Sequence, residues 1–190
     1  MTSAGTLSCS VTTAAACTGT VILRMSGATN AHAELPAQAN TNYAANVICC
    51  SGVTSLSNAC TAPSAVVLRL TGVTNAHVEK NSEANANYAT NACIAVGTGG
   101  SISVGYQETN CTGFDTTLGS LSGTTNAHVG DGTAYTTKIC GTATGGYASS
   151  GALISTTFDT QQTSGVAYNT LVWKGSTPTN TNVKLQLATS

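Results

Sequence analysis

The chain reads as an all-β protein: tandem small, disulfide-stapled, β-sandwich-like (Ig-like) repeats followed by a C-terminal β module. Three observations predict this class. Thr-Asn-Ala-His occurs at 29–32, 74–77 and 125–128 and holds all 3 histidines of the chain, which marks an internal repeat. The 8 cysteines fall in step with those copies. Apolar strand-like runs recur between Gly, Ser, Thr and Asn clusters, as expected of sandwiches and barrels, while apolar residues at helical spacing persist nowhere for three turns.

The first repeat spans 1–50, the second 51–96 and the third 97–142. Each opens with a cysteine: Cys17, Cys60 and Cys111 lie 15, 17 and 17 residues before their histidines (32 − 17, 77 − 60, 128 − 111). Strands are predicted at Thr20–Met25, 66–71 and 101–106, with Arg24 and Arg69 on a wet face between buried Leu and Met or Leu. The recurring turn carries Asn30, His32, Asn75, His77, Asn126 and His128. Its Asn suits an unusual turn conformation, and its His is expected to bond nearby backbone. A tyrosine (Tyr43, Tyr88, Tyr135) and a second cysteine close each unit.

That register predicts bridges Cys17 with Cys49 or Cys50, Cys60 with Cys93, and Cys111 with Cys140. Cys9 takes whichever of Cys49 and Cys50 remains. Such staples suit units of about 45 residues, whose cores are too small to stand alone. Linkers between units are nearly absent, so a rigid, extended row of repeats is expected. Arg24 and Arg69 precede their histidines by eight residues, and Glu34 and Glu79 follow by two; the third copy holds Ser120 and Gly130 at those places. Losing both charges together is the behaviour of cross-strand ion pairs; an exposed pair would contribute at most about 1 kcal/mol, so its value would lie in register rather than stability.

The C-terminal module, 143–190, begins with a Gly/Ser-rich stretch and continues as three predicted strands, among them 181–187. An open sheet of that kind is expected to be completed by further chain or by a neighbouring subunit.

The units VILRMSGATNAHAELPAQANTNYAANVICC and VVLRLTGVTNAHVEKNSEANANYATNACIA resemble repeats of large surface proteins from reduced-genome bacteria of the candidate phyla radiation. The segment 152–190 is similar to a β-rich module of the same proteins. The resemblance implies an extracellular or cell-surface location and brings no catalytic residue.

Charged residues make up 7% of the chain and the net charge is −1. Nucleic acid is excluded as a partner, since phosphate binding needs clustered Lys and Arg. No run reaches the length of a membrane span. A neutral polar surface lacks self-repulsion and suits association with copies of the same chain. Disulfides place the protein in an oxidising compartment, secreted or on the cell surface. Met1 is followed by no charged, apolar leader; either a leader has been removed or the sequence is part of a longer one.

Chemistry is sparse. Three histidines invite a metal, imidazole being a ligand for zinc, copper and nickel. Units stacked in a row would hold them tens of ångströms apart, so neither metal nor other cofactor is expected, and a structural role is assigned instead. A lateral contact between subunits, where a ring of histidines senses pH, is the lesser alternative. No nucleophile elbow or paired-carboxylate set is present, so no enzyme is expected. Asp115 and Asp131 in Gly-rich loops suggest at most a weak calcium site. Asn110-Cys111-Thr112 matches a glycosylation sequon whose middle residue is committed to a bridge. The predicted function is a self-assembling subunit of a surface fibre, pilus-like filament or sheath. The alternative is an adhesin binding host or surface glycans through Trp173 and Tyr168.

Overall fold

The computed structural model describes residues 7–38, 42–56, 60–84, 87–97 and 99–144, together with 161, 163, 172, 174, 175 and 183–185. Residues Met1–Gly151 form one compact unit and Ala152–Ser190 a second. The predicted strands of 152–190, Trp173 and Tyr168 fall outside the described residues, apart from 172, 174, 175 and 183–185, which carry no assigned strand.

Twelve strands and no helix occur among the described residues. The first repeat supplies β1 (Ser8–Thr12), β2 (Thr20–Met25), β3 (Ala33–Glu34) and β4 (Asn46–Ser51), hydrogen-bonded in the order β1-β4-β2-β3. The second supplies β5 (Thr54–Leu56), β6 (Ser64–Leu70), β7 (Val78–Glu79) and β8 (Thr90–Ala95) in the order β5-β8-β6-β7. The third supplies β9 (Ser101–Glu108), β10 (Thr116–Leu121), β11 (Val129–Gly130) and β12 (Thr137–Thr144) in the order β9-β12-β10-β11. All pairings are antiparallel.

The same irregularity recurs in each copy. Register shifts between Val21 and Leu23, between Val66 and Leu68, and between Thr117 and Gly119. A bulge breaks strict alternation and bends the strand. It lets two successive side chains face inward, so Ile22 with Leu23 and Val67 with Leu68 are all wholly buried. A plain in–out alternation, with Arg24 and Arg69 outward and Met25 and Leu70 inward, resumes afterwards.

The repeats do not stand in a row. The residue after each histidine pairs with the residue before the next one: Ala33 with Ala76, Val78 with Ala127, and Val129 with Ala31. The third link returns to the first repeat, closing a ring. Each pair exchanges two backbone hydrogen bonds of 2.8–3.0 Å. A second set runs the same way round: Leu35 N–H to Val73 O, Lys80 N–H to Thr124 O, and Asp131 N–H to Ala28 O. The strand sheets also meet cyclically, β5 against β2, β9 against β6 and β1 against β10. The expected extended row is therefore corrected to a closed, approximately threefold arrangement. Two-residue inner strands leave their outer backbone edges free for this exchange. Alanine at 31, 33, 76 and 127, all at most 2% exposed, lets the backbones approach.

One hydrophobic core runs through all three repeats, from Leu7 and Ile22 through Leu68 and Ile94 to Leu121 and Ile139. Burying each such side chain contributes roughly 1.5–3 kcal/mol. The bridges Cys9–Cys50, Cys17–Cys49, Cys60–Cys93 and Cys111–Cys140 staple the rim. Cys17 pairs with Cys49, which resolves the choice the repeat left open, and no cysteine is free. Adjacent residues of β4 point to opposite faces, so Cys49 reaches the loop before β2 while Cys50 faces its register partner Cys9 on β1.

Candidate functional site at the threefold axis

Each Thr-Asn-Ala-His segment is held as a tight loop. The N–H of Ser26, Thr71 and Ser122 donates to the carbonyl of His32, His77 and His128. The hydroxyl of the same Ser or Thr accepts the histidine N–H at 2.9, 3.1 and 2.9 Å. Reversing the chain within this loop requires a left-handed residue, and Asn30, Asn75 and Asn126 supply it at φ 49°, 47° and 47°. Asn tolerates that conformation better than most residues.

Ring closure then brings three loops to one end of the axis. The imidazole centroids of His32, His77 and His128 lie 4.7, 5.0 and 4.7 Å apart, with rings tilted by 42–56° like propeller blades. The expectation that they are widely separated is overturned, because it assumed stacking in a row. Their candidate ligand nitrogens all lie within 4.8 Å of one another. No carboxylate or thiol joins this group among the described residues.

The Nδ1 atoms are held around the ring. His32 Nδ1 lies 2.5 Å from Asn75 Oδ1, His128 Nδ1 lies 2.6 Å from Asn30 Oδ1, and His77 Nδ1 lies 3.4 Å from the Asn126 backbone oxygen. Each histidine thus meets the asparagine of the following repeat, whereas a bond to its own turn was expected. A backbone carbonyl can only accept, so His77 Nδ1 carries the hydrogen. An amide oxygen likewise only accepts, so His32 and His128 present Nδ1–H to Asn75 Oδ1 and Asn30 Oδ1, and Asn75 Oδ1 also accepts the Tyr43 hydroxyl at 3.1 Å. The Nε2 of His128 is buried with no hydrogen-bond partner. Burial, with the neighbouring His77 and His32, holds the His128 imidazole below its ordinary 6.5.

The charged residues of the repeat stand behind the loops. Arg24 faces Glu34 and Arg69 faces Glu79 in cross-strand register. The second pair makes a 3.3 Å ion pair, while Arg24 donates to the carbonyls of Pro36 and Tyr43. Both glutamates are completely buried, so the predicted cross-strand partners meet on a covered face. Their carboxylates gather loop donors: Glu34 accepts from the backbone N–H and side-chain amide of Asn42 and from Thr74 Oγ1 at 2.7 Å. Glu79 accepts from the N–H of Asn87 and Tyr88 and from Thr125 Oγ1. Thr74 and Thr125 belong to the next repeat, so each buried carboxylate also clamps the neighbouring loop.

The third copy dispenses with the carboxylate for a visible reason. Its histidine and tyrosine are 7 residues apart (135 − 128), against 11 in the others (43 − 32, 88 − 77). The shorter loop folds directly over Gly130, where a Cβ would lie 2.4 Å from the Ala134 Cβ. Ser120 Oγ takes over the carboxylate's task and accepts the Tyr135 N–H.

Asp131 closes its own short loop, accepting from Thr133 and Ala134. Asp115 accepts the Ala143 N–H with Oδ2. No protein-family model, curated protein or solved structure matches the chain.

Proposed function

We propose that this chain is an extracellular structural module, a rigid scaffold that presents the axial histidine cluster as a binding site rather than a reaction centre. The observation that carries the reading is the single core shared by three repeats whose eight cysteines are all bridged. Four disulfides are typical of proteins outside the cytoplasm. No helix among the described residues is long and apolar enough to cross a membrane. The resemblance to surface proteins of candidate-phyla bacteria supports the same location.

Self-association into a surface fibre or sheath is the finer reading. Its support is the neutral Thr/Asn/Ser surface, which offers little charge repulsion between copies. The β3, β7 and β11 edges are already paired to the neighbouring repeat, so strand addition would have to use the opposite edge strands β1, β5 or β9. Exported chain should carry no alkylatable thiol, resist protease until reductant is added, and form ordered polymers by negative-stain imaging. Free thiols in exported material would sink the scaffold; a monodisperse monomer at high concentration would sink the fibre alone.

A further inference from the structure

We infer that His32, His77 and His128 form a three-histidine site for one divalent late transition-metal ion, of which zinc is the reference, on the axis where the repeats close. The inference rests on reading the cluster as a binding site and names its ligand class.

Three features on the page carry it. The first is convergence: one imidazole from each repeat, at nearly equal separations, with ligand nitrogens within 4.8 Å of one another. Zinc–imidazole bonds of about 2.0–2.1 Å place tetrahedral nitrogens about 3.4 Å apart. The cluster is therefore open by at most about 1.4 Å (4.8 − 3.4), within the range of side-chain rotation. The second is tautomer control. Nδ1–H donation to Asn75 Oδ1, Asn30 Oδ1 and the Asn126 carbonyl leaves the unprotonated lone pair on Nε2. A hydrogen-bonded outer nitrogen is the usual support of a metal-bound histidine, and Tyr43 extends it by one more bond through Asn75. The third is the His128 Nε2, buried and without a partner. A buried acceptor with no partner is unfavourable, and a cation bound there would relieve it.

The donor set also selects the ion. Three neutral nitrogens without carboxylate oxygens disfavour calcium and magnesium, which take oxygen ligands. They also lack the carboxylate of a two-histidine iron site. Every cysteine is bridged, so soft thiolate sites are ruled out. Zinc, copper, nickel and cobalt remain, with copper binding most tightly in the general order. Three protein ligands leave a fourth position for water or an outside ligand.

Titration calorimetry of zinc chloride into the oxidised full-length chain should show one saturable site per molecule. Cobalt chloride should give the visible absorption of a four-coordinate ion. His32→Ala, His77→Ala and His128→Ala should each abolish both signals, and Asn75→Ala should weaken zinc binding by about 10–100-fold. Histidine ring 15N spectra of the unaltered chain give a readout independent of variant folding: zinc should move the Nε2 signals of all three residues while Nδ1 stays protonated. Absence of saturable binding, Nε2 signals unmoved by zinc, or binding that survives all three substitutions overturns the assignment. A stapled, protease-resistant chain that binds no zinc would overturn this inference and leave the scaffold standing.

Discussion

Asn75 Oδ1 receives His32 Nδ1 at 2.5 Å across a boundary of 43 residues, and the Tyr43 hydroxyl at 3.1 Å. The same asparagine holds the left-handed turn of its own repeat. One side chain therefore couples the shape of the second loop to the orientation of the first imidazole.

These two duties separate by substitution. Asn75→Gly keeps the left-handed backbone at little steric cost but removes the amide, so stability should change little from strain while His32 loses its acceptor. Asn75→Ala adds the left-handed penalty of roughly 1–2 kcal/mol. Urea midpoints of the two variants should rank Gly above Ala. An equal loss in both would show that the amide, not the turn, dominates.

Metal and stability are linked. An ion that binds the folded chain alone, at 100 times its dissociation constant, adds about 2.7 kcal/mol. Thermal melts with and without zinc should separate accordingly, and the separation should vanish in His77→Ala. A zinc-induced shift of equal size in that variant would place the ion elsewhere.

The buried glutamates make the fold acid-sensitive. Burial alone would raise Glu34 and Glu79. In Glu34 the donors Thr74, Asn42 and the Tyr43 backbone outweigh it; in Glu79 the donors Asn87, Tyr88, Arg69 and Thr125 do the same, and both carboxyls lie below the ordinary 4.5. A carboxylate depressed in the folded state contributes stability that is complete above the unfolded pKa and is lost as pH falls through the folded one. Unfolding free energy should therefore decline below pH 4.5. Glu34→Gln with Glu79→Gln should flatten that decline, and an unchanged slope in the double variant would assign it to other groups.

Gly130 has no room for the acid that stands at its place in the other two copies. Gly130→Glu meets Ala134 at once, and overpacking of this kind costs about 1–3 kcal/mol. Glu79→Ala should lose a comparable amount for the opposite reason, since buried loop donors are left unpaired at about 1–3 kcal/mol. Denaturant titrations of both variants check the pair; a neutral Gly130→Glu would mean that the 131–135 loop yields.

Removing one staple with Cys60→Ser plus Cys93→Ser should cost about 2–4 kcal/mol. The shared core should still hold the fold at moderate temperature. Loss of all strand signal in that variant would instead make each bridge indispensable.

Strand identity was legible where the pattern was strong. The predicted run at Thr20–Met25 is β2 as observed, and the repeat register selected two of the four bridges outright, leaving the partners of Cys17 and Cys9 open between Cys49 and Cys50. The two-residue strands Ala33–Glu34, Val78–Glu79 and Val129–Gly130 were invisible, being shorter than any periodicity. They are also the strands that close the ring, so missing them meant missing the cluster. A clue existed: the histidine is flanked on both sides by Ala or Val in every copy, small enough for backbones to meet. The matching loss of Arg and Glu in the third copy was read as a broken ion pair. The Arg69–Glu79 ion pair bears that reading out, and the loop shorter by four residues adds a steric side, with Ala134 against the place a Cβ on Gly130 would take.

Cyclic hand-over of backbone bonds from Ala33 to Ala76, Val78 to Ala127 and Val129 to Ala31 has a genetic corollary. A linear array tolerates duplication or deletion of units, because every internal boundary is alike. Here the last boundary is the first one, so copy number is set by angle, and an inserted fourth unit would find no vacant berth.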